Sequence, residues 1–203
     1  MLAVDRRQRA RHAYERWIAD VIGQQDEWTA YLVTFMFNAL PGSTEGRPRQ
    51  VAREIEHFYT TLITRVTRRP NRGADVERCP RLFALPDLPR RGSRSSPDDV
   101  MVNDGLHFHG VLLLPTRSRL RCGLGEHVAA NRGLYLGGHG KPRDIHTGEI
   151  TSDPRRVADY VFKLWKRNPG FGDHHVVLPR SRSELARRAD AAGGRSCDST
   201  NIE

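Results

Sequence analysis

The sequence predicts an α+β fold, an antiparallel sheet of the ferredoxin-like, RRM-like kind with helices on one face. Three observations point there. Segments rich in β-branched and aromatic residues alternate with segments whose apolar residues recur every three or four positions. Their order is helix, strand, helix, strand, strand, helix, strand, helix. The length of 203 residues suits one domain with a sizeable core and is too short for two large ones.

Arg6 to Ile22 places Ala10, Ala13, Tyr14, Trp17, Ile18 and Val21 at helical steps, an amphipathic helix with a basic outer face. "EWTAYLVTFMFNALPG" follows as a buried strand closed by a Pro-Gly turn. "RPRQVAREIEHFYTTLITRVTRR" repeats Val51, Ile55, Phe58, Leu62, Ile63 and Val66, a second amphipathic helix. "CPRLFALPDLP" reads as a short strand. "RRGSRSSPDD", Arg90 to Asp99, is polar and aperiodic and reads as a long hairpin loop, because strand pattern resumes at Leu106 to Leu114.

"TRSRLRCGLGEHVAANRG" reads as a helix hindered by Gly123 and Gly125, and "KPRDIHTGEI" as a strand with a turn. Asp153 as N-cap and Pro154 at the first position open a helix through "RRVADYVFKLWKR", which stops before "NPGFG". Residues 1–25 read as an N-terminal helical extension and 26–179 as the main domain. The stretch 180–203 reads as a polar tail expected to be disordered.

Lys and Arg total 33 against 24 Asp and Glu, a formal charge of +9. Such a balance points to a polyanionic partner, nucleic acid before membrane. Cys79, Cys122 and Cys197 are far apart and form no CxxC pair, which argues against a disulfide framework or zinc knuckle. The charged start "MLAVDRRQRARHAYERW" lacks the apolar core of a signal peptide, and no apolar run approaches the ~20 residues that cross a bilayer. The expected location is soluble and cytoplasmic.

"NDGLHFHGVLLLP" carries the first chemical signal. Alternation along a strand puts His107 and His109 on one face and Phe108 on the other, with the two histidine side chains roughly 7 Å apart at their base. Val111 and Leu113 continue the histidine face, whereas Phe108, Leu112 and Leu114 continue the opposite one, as in a central strand. Two buried imidazoles need partners for their nitrogens. A transition-metal ion is one such partner; hydrogen-bonded core or rim histidines are the alternative.

"DYVFK" carries the second, with Tyr160 and Lys163 adjacent on one helical face beside the packing stripe of Val157, Val161 and Leu164. A phenol with an ammonium one turn on suits attack on a phosphodiester; a half-buried packing tyrosine is the alternative. A metal on the sheet and a nucleophile on a neighbouring helix would supply two halves of one reaction.

In order, "TAYLVTFMF", "HFH" and "YVFK" resemble the motifs of the HUH endonuclease superfamily, most closely its rolling-circle replication initiators from plasmids and single-stranded phages. The resemblance spans Thr29 to Lys163. It implies an HUH-type fold, a five-stranded or similar antiparallel sheet with the histidines on a central strand. It also implies Mg or Mn at His107 and His109, and nicking of single-stranded or hairpin origin DNA. Tyr160 would become linked to the 5′ phosphate and leave a 3′ hydroxyl, with Lys163 as the assisting cation. One tyrosine, without a "Y-x-x-x-Y" partner, is similar to the single-tyrosine class.

Family members supply a third polar or acidic ligand; Asp87 is the first choice here, with Glu56 and His57 behind it and Asp104 expected in a turn. "GGHGKPR" lacks the GxxxxGK[ST] spacing of a phosphate loop, so unwinding would need a host helicase.

A transposase or mobilisation relaxase would use the same chemistry. A non-catalytic nucleic-acid-binding protein on the same scaffold would need neither the histidines nor Tyr160. A degenerate initiator and a structural metal protein are further readings, the last disfavoured because two imidazoles are too few for a closed zinc site. His174 and His175 are expected exposed in a loop, and His127, His139 and His146 share no metal spacing.

Overall fold

Side-chain alternation decides which way each strand of this protein faces, and two separate apolar clusters result. The computed structural model describes residues 2–23, 26–70, 78–89, 102–138, 140–168 and 173–180. The loop expected at 90–99, the tail beyond Arg180, His139 and Cys197 lie outside the described residues.

The chain runs α1 (Leu2–Ile22), β1 (Trp28–Phe37), α2 (Arg47–Val66), β2 (Arg81–Asp87), β3 (His107–Pro115), α3 (Leu124–Ala130), α4 (Arg132–Tyr135), β4 (Pro142–Glu149), α5 (Pro154–Val161), α6 (Lys163–Arg167) and β5 (Val176–Leu178). The strands form one five-stranded sheet in the order β4-β1-β3-β2-β5. Every pairing is antiparallel. β3 is therefore the middle strand.

The three-residue β5 was not foreseen, because "VVL" is too short to show alternation. The hindered helix of the sequence resolves into α3 and α4, which meet at Asn131. The helix expected through "RRVADYVFKLWKR" is likewise two short pieces, α5 and α6, broken at Phe162. Phe162 is fully buried and stacks on Phe83 of β2 at 5.1 Å. Sinking that ring into the sheet turns the backbone, yet the fold keeps Lys163 beside Tyr160. Asp153 caps α5 as expected, accepting a hydrogen bond from the Arg156 amide at 3.0 Å.

Helices cover both faces of the sheet, and the expectation of helices on one face is corrected. On one face α2 places Val51, Ile55, Phe58 and Leu62 against Val33, Phe35, Leu82, Phe108 and Leu112. On the other, α1, α5 and α6 place Ile18, Val21, Val161, Phe162 and Trp165 against Ala30, Phe83, Leu85, Val111 and Leu113. The physical reason lies in β3, where every residue after His107 is buried. A strand apolar on both sides must be roofed on both.

Cys122 is a free thiol, and the buried Cys79 has its sulfur 3.8 Å from the Pro70 carbonyl oxygen. Among the described residues no helix is long and apolar enough to cross a membrane.

Gly110 follows the histidine pair for a packing reason. It faces Ala84 on β2, and a Cβ built on it would lie 2.5 Å from the Phe83 carbonyl oxygen and 3.0 Å from the Ala84 Cβ. Both obstacles are fixed in the centre of the sheet. Gly110→Ala is therefore expected to cost about 1–3 kcal/mol through forced separation of β2 and β3, read as a lower urea midpoint by circular dichroism.

Candidate metal centre and tyrosine site

Three strands bring the site together at one end of the sheet. Register sets Asp87, the last residue of β2, opposite His107, the first of β3, and sets Thr34 of β1 opposite His109. Asp87, His107, His109 and Thr34 all project to the face covered by α1, α5 and α6. The ligand atoms of Asp87, His107 and His109 converge in a group that can hold a metal ion. His107 Nε2 and His109 Nε2 are 3.0 Å apart, and each is 3.3 Å from Asp87 Oδ2. Three ligands at ~2.1 Å from one ion on adjacent octahedral positions would be about 3.0 Å apart, so these separations suit a shared cation.

Proton bookkeeping supports the same reading. His107 Nδ1 lies 2.8 Å from the Gly105 carbonyl oxygen, which can only accept, so Nδ1 carries the proton and a neutral His107 offers a lone pair at Nε2. His109 Nδ1 lies 2.7 Å from the Thr34 hydroxyl, which can accept its proton in turn. In that tautomer both Nε2 lone pairs and a carboxylate oxygen point into one small space. A bound cation would satisfy all three atoms at once.

Asp87 is 2% exposed, and among the described residues neither carboxylate oxygen has a well-aligned hydrogen-bond donor. Burial alone would push its carboxyl up. The neighbouring His107, His109 and Lys163 outweigh that and hold it well below the usual carboxylate range. Lys163 Nζ sits 2.7 Å from Asp87 Oδ2 as an ion pair, and Arg167 reaches within 3.8 Å of Oδ1. Burial, helped by the neighbouring Lys163 ammonium and opposed by Asp87, holds His109 below its ordinary range. The imidazole therefore stays neutral and able to ligate.

Tyr160 completes the site. Its hydroxyl is 3.1 Å from His109 Nε2 and its ring is 4.1 Å from Lys163 Nζ. The residue is 40% exposed, so it stands at the protein surface. One lone pair serves one partner at a time. The Tyr160 O–H that donates to His109 Nε2 is consequently displaced whenever an ion takes that nitrogen. α6 is tethered to α1 through Lys166 Nζ, 3.1 Å from Glu15.

The structure thus brings together His107, His109, Asp87, Tyr160 and Lys163. It leaves the other third-ligand choices out: Glu56 pairs with Arg180, and His57 stands exposed beside Glu54 at 3.4 Å, both on α2. Asp104, in the turn before β3, pairs with Arg47 at 2.8 Å. His127 is a core residue, 2.9 Å from the Tyr135 hydroxyl. His175 is not an exposed loop residue. It stacks on Trp165 at 5.9 Å and lies 5.4 Å from the Tyr14 ring.

Two residues of the site went unread in the sequence. Thr34 was the polar exception on the Trp28, Ala30, Leu32 face of its strand, and Arg167 was the next cation on the Tyr160–Lys163 face. No family model, curated protein or solved structure matches the chain.

Titration with Mn²⁺ by calorimetry is expected to show one site in the wild type and none in Asp87→Asn or His107→Ala/His109→Ala. Lys163→Met removes the ammonium that competes for Asp87 and is expected to bind the ion about tenfold more tightly, after allowance for solvent screening.

A second outcome concerns pH in chelator. The folded state depresses the His109 pKa, so this group's contribution is full above about pH 6.5 and is lost as pH falls from there. Urea unfolding between about pH 7 and 5 should therefore cost the wild type more stability than it costs His109→Gln.

Proposed function

We propose that this chain is a metal-dependent, single-tyrosine DNA nicking and joining enzyme of the replication-initiator type. The observation that carries the reading is the Tyr160 hydroxyl at 3.1 Å from His109 Nε2. It places a reachable nucleophile at the edge of a three-ligand cation site. The motif order resembling the HUH superfamily and the +9 charge support the same reading.

The reaction assigns each residue a task. The Tyr160 oxygen attacks the phosphorus of a single-stranded or hairpin DNA phosphodiester and loses its proton. The bond to the 3′ oxygen breaks, that oxygen takes up a proton, and a 5′-phosphotyrosine link and a free 3′ hydroxyl result. Joining runs the same bonds in reverse, with a 3′ hydroxyl attacking the phosphotyrosine.

Lys163, between Asp87 and the Tyr160 ring, offers positive charge to the phenolic oxygen or to a phosphate oxygen. Asp87, His107 and His109 would hold Mg or Mn, which supplies polarisation of a non-bridging phosphate oxygen when bound. Thr34 orients the His109 ring. The 3′ hydroxyl would prime synthesis, with a host helicase opening the duplex. A transposase or mobilisation relaxase would use these residues identically and differ in the DNA recognised.

Labelled single-stranded oligonucleotides spanning candidate origins, incubated with Mn²⁺ and run on denaturing gels, test this. The expected result is a covalent protein–DNA adduct in the wild type, absent without metal, in Tyr160→Phe, and in His107→Ala/His109→Ala. Binding without cleavage across many origins would leave a non-catalytic nucleic-acid-binding protein.

A further inference from the structure

A second charged feature lies around the β5 edge of the sheet and is built from residues other than those that do the chemistry. An open groove of about 940 Å³ runs between α2 and the chain entering β5. From α2 it takes Arg49, Ala52, Arg53 and Glu56, spaced i, i+3, i+4 and i+7, a single stripe along the helix. Ala52 leaves a gap between the two arginines. The rest of its lining includes the rings of Tyr14 of α1, His174 and His175, together with Asp173 and Arg180.

The charges of this groove do not cancel. Glu56 is paired with Arg180, and Asp173 with Arg7 at 2.5 Å. Arg49 and Arg53 are exposed one helical turn apart and form no ion pair among the described residues. Two like charges at that spacing oppose helix formation unless an anion lies against them. Burial and the nearby Arg49 charge hold the His174 imidazole below its ordinary range, which keeps it a neutral, stackable ring.

The groove adjoins the catalytic centre. β5 pairs antiparallel with β2, Ala84 opposite Val176 and Leu82 opposite Leu178, so the residues before Val176 lie toward the Asp87 end of the sheet. His175 stacks on Trp165 of α6, the helix that also brings Lys163 and Arg167 to Asp87.

Unpaired guanidinium groups and rings lining one groove are what a single strand requires. Phosphates meet the former and bases stack on the latter, with little dependence on sequence.

We propose that this groove, with Arg49 and Arg53 as its phosphate contacts, holds the single-stranded DNA flanking the cut. The strand leaves the centre over α6, passes His175 and His174, and follows the arginine stripe of α2 around the edge of the sheet. The proposal rests on the nicking reading for its substrate, but its residues are separate from Tyr160 and from the metal ligands. Cleavage and strand holding can therefore fail independently.

The test is fluorescence anisotropy with a fluorescein-labelled single-stranded oligodeoxynucleotide of mixed sequence, over a series of salt concentrations, on the full chain. Arg49→Ala/Arg53→Ala is expected to bind about tenfold more weakly or worse, with a salt slope shallower by about 1.4, since each phosphate contact on a single strand contributes ~0.7. Arg49→Lys/Arg53→Lys keeps the charge and should retain most of the affinity. Mn²⁺ affinity and the far-ultraviolet circular dichroism of both variants should match the wild type, which separates a lost contact from a lost fold.

Unchanged affinity and slope in the alanine pair overturn the groove. Wild-type protein that binds no single strand overturns both proposals. Binding that follows the arginines in a protein that never cleaves leaves the groove standing and removes the nicking reading.

Discussion

A carboxylate sealed from water beneath two imidazoles is the constraint on which the rest of this structure depends. Leaving Asp87 charged and uncompensated at 2% exposure would cost several kcal/mol. Among the described residues no aligned hydrogen-bond donor meets either oxygen, and Lys163, Arg167 and the histidines surround the group instead. Such an arrangement is poor as a structural device, because an apolar side chain would pack there more favourably. It is well suited to exchanging one cation for another.

The exchange links the two halves of the site. Lys163 occupies the Asp87 oxygen and Tyr160 occupies the His109 nitrogen, the same atoms an ion would need. An ion held there would take both atoms and so free the ammonium and the phenol side by side. Their proximity survives the break between α5 and α6 because Phe162 is pinned against Phe83 and α6 is tied to α1. Sheet register provides the other half. The pairing of Asp87 with His107 and of Thr34 with His109 would be lost by a slip of one residue, which would send the histidines to the α2 face.

Much of this was legible because strands announce their faces. The alternation in "HFHGVLLLP" placed His107, His109, Val111 and Leu113 together, and the two core clusters divide along that line. The capped start at Asp153 and the neighbouring Tyr160 and Lys163 were readable for similar local reasons. What failed depended on tertiary context. β5 has only three residues, and its place is set by pairing with β2.

The apolar faces of β3 were legible but the roof on both of them was not, because which helix goes where is decided by packing between distant segments. Asp87 could be nominated by its position after an apolar strand. It was preferred over Glu56 and His57 on that ground, and register then sets it opposite His107, a pairing that no single segment encodes. The α5–α6 break had no Gly or Pro to mark it.

The central question for this protein is whether those three side chains hold an ion. Anomalous diffraction at the manganese edge, from crystals grown with Mn²⁺, measures this directly. The predicted result is one peak bonded to Asp87 Oδ2, His107 Nε2 and His109 Nε2, with the Tyr160 hydroxyl moved off the His109 nitrogen. Manganese bound elsewhere, with Lys163 still on Asp87 and Tyr160 still on His109, would contradict it.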